Sequence, residues 1–129
     1  NTWIRFEMTG EEVYHMFQDL AGIELYPNSG TIQTFEYSNS LYIMKNILFY
    51  NGEEERPLEP HKVYKICTND FLAKGGVDMG KVRKWYKELR NPKDFGLIRA
   101  LLSKYLKNMN PITKDKFFDK NYPRIIIDN

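Results

Sequence analysis

The chain has 129 residues, 42% of them hydrophobic and 28% charged, the balance of one globular domain large enough to bury a core unaided. A single cysteine excludes an internal disulfide, and no apolar run approaches the ~20 residues that a membrane-crossing helix needs. The net charge of +2 is unevenly spread: residues 1–80 hold six Lys/Arg against twelve Asp/Glu, and residues 81–129 hold thirteen against five. Such a basic half suits nucleic acid, an acidic partner or simply a solvated helical face.

Asn1 leads straight into a strand pattern with neither an initiating Met nor a signal peptide, so the chain reads as a fragment or processed product. From Trp3 to Met8 the sequence alternates, with Ile4, Phe6 and Met8 on one side and Trp3, Arg5 and Glu7 on the other, as in a half-buried strand. Thr9 and Glu12 form a T-x-x-E capping box. Val13, Met16, Phe17 and Leu20 follow at helical spacing, and Gly22 ends the helix. His15 falls off the apolar stripe and reads as a surface residue.

Ile23–Tyr26 is a short apolar run closed by the turn residues Pro27, Asn28, Ser29 and Gly30. Strands are predicted from Thr31 to Tyr37 and from Leu41 to Tyr50, with a tight turn at Asn51-Gly52. Glu53, Glu54 and Glu55 read as a solvated loop tip. Pro57 and Pro60 bracket the approach to another strand, Lys62–Thr68, within which Cys67 is expected to be a buried, inert thiol. His61 has no partner at a recognisable spacing and is assigned a structural role.

The stretch TNDFLAKGGVDM, Thr68 to Met79, joins this strand to a basic segment, Gly80 to Arg90, predicted helical with Val82, Trp85, Tyr86 and Leu89 inward. Asn91-Pro92 reads as a stop and as a cap for the next helix, in which Ile98, Leu101, Leu102, Tyr105 and Leu106 form an apolar face. Arg124–Ile127 suits a last strand. The order β-α-β-β-β-β-α-α-β predicts an α+β domain with a mixed, largely antiparallel sheet packed with helices, read as one partial domain over residues 1–129.

No catalytic set can be assembled: there is no metal-spaced His/Cys/Asp cluster, no nucleophile elbow and no phosphate-cradling glycine loop. The chain alone is therefore not expected to be catalytic. The central stretch does carry binding chemistry. Phe71 follows a strand end, where a planar ring can stack on a heterocycle. Gly75 and Gly76 allow positive φ and close backbone approach, and a nearby carboxylate can accept hydrogen bonds from a sugar diol. The same residues also suit a plain turn with Phe71 and Leu72 in the core.

Asn69-Asp70-Phe71-Leu72-Ala73-Lys74-Gly75-Gly76 resembles the "NDFLA-GGDG" motif of the C-terminal domain of the 5'-nucleotidase family. This family comprises metal-dependent phosphoesterases, among them periplasmic UDP-sugar hydrolases and cell-surface ecto-5'-nucleotidases. Three further blocks agree in order. NTWIRFEMTGEEV is similar to "N-T-L-V-x-x-x-L-T-G-x-x-L", and Asn28-Ser29-Gly30 to the turn "Q-V-S-G". Asn51-Gly52, Pro57-Leu58-Glu59-Pro60 and Val63-Tyr64 are similar to "G-x-P-L-D-P-x-x-x-Y". Residues 81–129 match only in helical character and final strand.

The resemblance implies an N-terminal domain with two divalent metals and an Asn-His pair, and a C-terminal domain that binds base and ribose, the two brought together by a hinge. The implied ligand is a nucleoside monophosphate or nucleotide sugar, and the implied compartment is extracellular, cell-surface or periplasmic. Phe71 looks like one of two aromatics that sandwich the base. The other belongs to a "P-F-G-N" segment whose last position looks like Asn1, and the family's substrate-contacting arginines lie further upstream. The implied site residues are thus Phe71, Gly75, Gly76, Asp78 and Asn1. One departure stands out: Val77 occupies the place of the family's ribose-holding aspartate, and Asp78 follows one residue later, displaced by up to ~3.8 Å along the backbone, so that either the loop bulges by one residue to restore the ribose contact or that contact is weakened or lost.

Two readings follow. In one the chain is the nucleotide-binding portion of a 5'-nucleotidase-like hydrolase, partnered by an upstream metal-binding domain. In the other it is a non-catalytic relative serving as a structural or interaction subunit of a larger assembly. Nucleic acid ranks third as a partner, because Trp85 and Tyr86 fall on the predicted core stripe.

Overall fold

A computed structural model of the chain describes residues 1–76, 89–109, 111, 113 and 124–129. Strand β1 (Thr2–Thr9) leads directly into helix α1 (Gly10–Ala21). Phe6 and Met8 are each 1% exposed, and Ile4 packs on the same core, as their alternation predicts. Thr9 caps α1: its hydroxyl accepts from the Glu12 amide, and its own N–H donates to Glu12 Oε2 at 2.9 Å. The Gly10 and Glu11 amides donate to the Lys62 and Pro60 carbonyls, both at 3.0 Å. The helix start is thereby clamped by the turn that precedes β5 (Val63–Asn69).

Strands β2 (Thr31–Ser38) and β3 (Leu41–Tyr50) form a hairpin, to which β4 (Glu55–Pro57) adds on the β3 side. Strand β7 (Ile125–Ile127) pairs with β2 in parallel, giving the sheet order β4-β3-β2-β7. The second sheet is antiparallel, in the order β5-β1-β6, where β6 is Arg90–Leu97. Buried side chains of β1, α1, β2 and β3, including Phe6, Val13, Leu20, Phe35, Met44 and Ile47, form one cluster joining the sheets through α1. The architecture is α+β with mixed, mainly antiparallel sheets. Ile23–Tyr26 is irregular, and Glu55 lies in β4, where the sequence suggested a loop tip.

The sequence misses β6. Asn91-Pro92 looks like a helix boundary, yet the strand runs through it, and helix α3 (Ile98–Lys107) starts only after Leu97. Two register shifts against β1, with Asn91 at φ 49° and Gly96 at φ 93°, accommodate this punctuation, as bulges on an edge strand do. Arg5 and Lys93 lie opposite each other on β1 and β6, and both cations sit over the Phe95 ring, at 5.2 and 5.0 Å. Residues 77–88 lie outside the described residues, and with them most of the predicted basic helix Gly80–Arg90, including Val82, Trp85 and Tyr86. Arg90 belongs to β6 and pairs with Glu12 at 2.9 Å.

Helix α3 contains the predicted stripe from Ile98 to Leu106, although it starts later than the expected Asn91-Pro92 cap, and it buries no residue; Leu101, Leu102 and Tyr105 are exposed. Its apolar face is not core, contrary to its periodicity. Cys67 is exposed as well: it lies opposite Arg5 across β1 and β5, on the face away from the core, whereas Ile66 next to it packs inward. The apolar run Val63–Cys67 alternates in space although it reads as continuous. Partial desolvation pushes the Cys67 thiol up, and the Arg5 charge only partly offsets this.

Candidate functional site

The central stretch lies where three chain segments converge: the start of β1, the end of β5 and the end of β6. Trp3 pairs with Asn69, and Thr2 pairs with Leu97. The Asn1 carbonyl accepts from the Ile98 amide at 3.1 Å. This bond satisfies a first-turn donor of α3, whose N-cap, Leu97, has no side chain able to do so. Thr2 contributes two bonds, from its N–H to Asp70 Oδ1 at 3.0 Å and from its hydroxyl to Asp94 Oδ2 at 3.1 Å.

Asn69 Oδ1 accepts from the Leu72 amide at 2.8 Å and so caps a one-turn helix, α2 (Asp70–Ala73). Leu72 packs on the core and Ala73 is buried, while Phe71 is 51% exposed. The plain-turn reading thus holds for Leu72 and fails for Phe71, whose ring projects from a rigid, doubly tethered turn.

The two glycines have separate roles. Gly75, at φ 88°, donates to the Leu72 carbonyl, and Gly76 donates to the Phe71 carbonyl, each at 2.9 Å. This pair of bonds with a left-handed residue between them is a Schellman ending. At Gly76 a Cβ would stand 2.6 Å from Phe71 Cε1 and Cζ and 2.7 Å from the Phe71 carbonyl oxygen. The bare Gly76 backbone therefore lies directly against the Phe71 ring and positions it.

Asp70 is the charged group of the turn. The Thr2 amide, with the Lys74 ammonium 3.8 Å away, holds its carboxyl below the usual range despite slight desolvation. Asp70, Thr2 and Asp94 were not singled out by sequence reasoning, because their roles depend on strand register, which one sequence does not display. Asn1 and Phe71 are brought to the same edge of the domain. Val77 and Asp78 lie outside the described residues. A cavity of about 510 Å³ opens on the α1 and β5 side, and Leu72 is the residue of α2 that lines it.

His15 lies 4.0 Å from Glu11 on the surface of α1, and His61 is exposed in the turn before β5. Among the described residues, no group of three or more His, Cys, Asp or Glu is placed to hold a metal ion, and no helix is long and apolar enough to cross a membrane.

The family model for the 5'-nucleotidase C-terminal domain matches residues 1–84. The fold is similar to that of a 5'-nucleotidase precursor from Thermus thermophilus, with a TM-score of 0.77 at 18% identity over 98% of this chain. It is also similar to an NAD nucleotidase of Haemophilus influenzae, with a TM-score of 0.65 at 19% identity over 84% of this chain. The chain spans only 25% and 21% of those two proteins. No curated protein sequence matches it.

Proposed function

Because the chain belongs to the 5'-nucleotidase C-terminal domain family, we propose that it is the base- and ribose-binding part of a metal-dependent 5'-nucleotidase-like phosphoester hydrolase. The observation that carries this reading is Phe71: a half-exposed ring on a capped turn, braced by Gly76 and tied through Asp70 to the start of β1. Such a ring offers a stacking face worth about 1–3 kcal/mol per base. Asn1 at the same edge supplies an amide able both to donate to and to accept from a base edge. Asp78 is the carboxylate for the ribose hydroxyls.

Catalysis and the two divalent metals are assigned to a further, N-terminal domain, in keeping with the fraction of the two nucleotidases that this chain spans. The role of this chain is to seat the nucleoside so that the phosphate faces that domain. A nucleoside monophosphate or nucleotide sugar is the proposed ligand, and an extracellular, cell-surface or periplasmic location accompanies this reading.

Val77 at the family's aspartate position favours a second reading, a non-catalytic structural or interaction subunit. Titration of the chain with adenosine, followed by NMR, separates the two. Saturable shifts at Phe71, Gly76 and Asn1 support the nucleotide site. A chain that shows none at saturating nucleoside loses the first reading and leaves the second.

A further inference from the structure

On the side of the β5-β1-β6 sheet that points away from the core, two positive charges face each other without a counter-charge. Arg5 of β1 and Lys93 of β6 are direct partners across the strand pair, an arrangement in which like charges oppose pairing. Among the described residues neither forms an ion pair. The carboxylates closest to them in sequence are hydrogen-bonded elsewhere. Asp94 accepts from the Thr2 hydroxyl and the Gly96 amide, and Glu7 accepts from the Asn91 side chain. The Phe95 ring holds both cations, 5.2 Å from Arg5 Cζ and 5.0 Å from Lys93 Nζ. This attraction to the ring quadrupole leaves the charge itself uncompensated.

The cation pair borders an apolar hollow of about 320 Å³, lined by Trp3, Arg5, Cys67, Phe95 and Leu101. That volume lies within the roughly 300–1,000 Å³ of small-molecule sites. Four elements supply its walls. Trp3 and Arg5 alternate along β1, Cys67 lies opposite Arg5 on β5, Phe95 stands on β6, and Leu101 comes from the first turn of α3. Phe95 is 41% and Leu101 36% exposed, so these apolar walls remain open to solvent. The hollow is thus apolar at Trp3, Phe95 and Leu101 and cationic at Arg5, with Lys93 beside the same ring.

We infer that this hollow is a second ligand site, for a small aromatic carboxylate whose ring packs among Trp3, Phe95 and Leu101 and whose carboxylate meets Arg5. The planar guanidinium matches a carboxylate with two parallel hydrogen bonds, and Lys93 adds to the field that attracts it. A bare inorganic anion would leave the apolar walls wet. A neutral arene would leave the two cations unmatched.

The test is an NMR titration of the whole chain with 2-naphthoate, using 2-naphthamide as the neutral probe of the same shape. Naphthoate is expected to shift the Trp3 indole N–H, the Arg5 Nε–H and the Leu101 methyls saturably, and to bind about tenfold more tightly than the amide. Arg5→Met keeps the side-chain length and brings the two affinities together, while Lys93→Met narrows the gap between them. Leu101→Ala, at an exposed helix position, weakens both probes alike. Phe71→Ala leaves both unaffected, which separates this hollow from the nucleoside site. Four results overturn the inference: equal affinities of the parent chain for the two probes, shifts that grow without saturating, a preference for naphthoate that survives Arg5→Met, or loss of binding in Phe71→Ala.

Discussion

The backbone N–H of Thr2 donates to the carboxylate of Asp70 at 3.0 Å, across 68 residues of sequence. This bond joins the first residue of β1 to the first residue of α2. It makes the position of Phe71, the next residue, depend on where the chain enters the domain.

The Thr2–Asp70 bond carries a pH signature. The folded-state pKa of Asp70 is depressed, first by the Thr2 amide, with a contribution from Lys74. A depressed carboxylate contributes stability that is present above its unfolded pKa and is lost as pH falls through the folded value. The Thr2 amide resonance should therefore titrate with a midpoint below that of an ordinary aspartate, and Asp70→Asn should abolish the titration. A midpoint at or above the ordinary range would contradict the assignment of Asp70 Oδ1 as the acceptor.

Gly76→Ala tests whether the glycine positions the ring. The added methyl would meet two Phe71 ring carbons at 2.6 Å and the Phe71 carbonyl oxygen at 2.7 Å. The ring can swing into solvent but the carbonyl cannot, so the bond from the Gly76 amide opens. Overpacking of this kind costs about 1–3 kcal/mol. The variant should remain folded, lose part of that stability in urea titration, and lose the nucleoside response. Unchanged nucleoside binding would show that the ring position is not set by Gly76.

The sequence makes α1 and the β2–β3 hairpin legible because their patterns are local: a T-x-x-E cap, apolar residues at helical spacing, and β-branched runs between turn residues. It obscures β6 because Asn91, Pro92 and Gly96 are strand breakers in isolation, and only the register with β1 shows the bulges that absorb them. It misplaces Cys67 because a run of apolar residues hides which of two faces each one takes. Within the site, Phe71 and the glycine pair stand out by residue type, whereas Asp70 and Thr2 acquire their roles only from the β1–β5 pairing. The apolar face of α3 is read correctly as a helix stripe and incorrectly as core, since periodicity reports amphipathicity and not what covers it.

Thr9→Ala and Gly10→Ala separate two devices at the start of α1. Removing the Thr9 hydroxyl deletes half of the capping box and should cost about 0.5–2 kcal/mol. At Gly10 a Cβ would run into the Glu59 carbonyl. The turn at 59–62 must then retreat, breaking the bonds from the Gly10 and Glu11 amides, at a cost of about 1–3 kcal/mol. Urea denaturation measures both. If Gly10→Ala proves neutral, the clamp between α1 and the turn before β5 is not a stabilising feature.

Phe71→Ala bears most directly on the proposed function. The ring is half exposed and Leu72, not Phe71, packs on the core, so truncation should leave stability within about 0.5 kcal/mol of the parent, as for an ordinary surface change. The stacking face, in contrast, is lost entirely, which should weaken adenosine binding by about 1–3 kcal/mol, or roughly five- to 150-fold in Kd. Calorimetry and urea denaturation on the same preparation read the two quantities independently. A variant that loses stability but keeps its affinity would place Phe71 among the structural residues and remove the ring from the nucleoside site. A variant that keeps stability and loses affinity assigns the ring to the ligand, because no packing defect then remains to account for the loss.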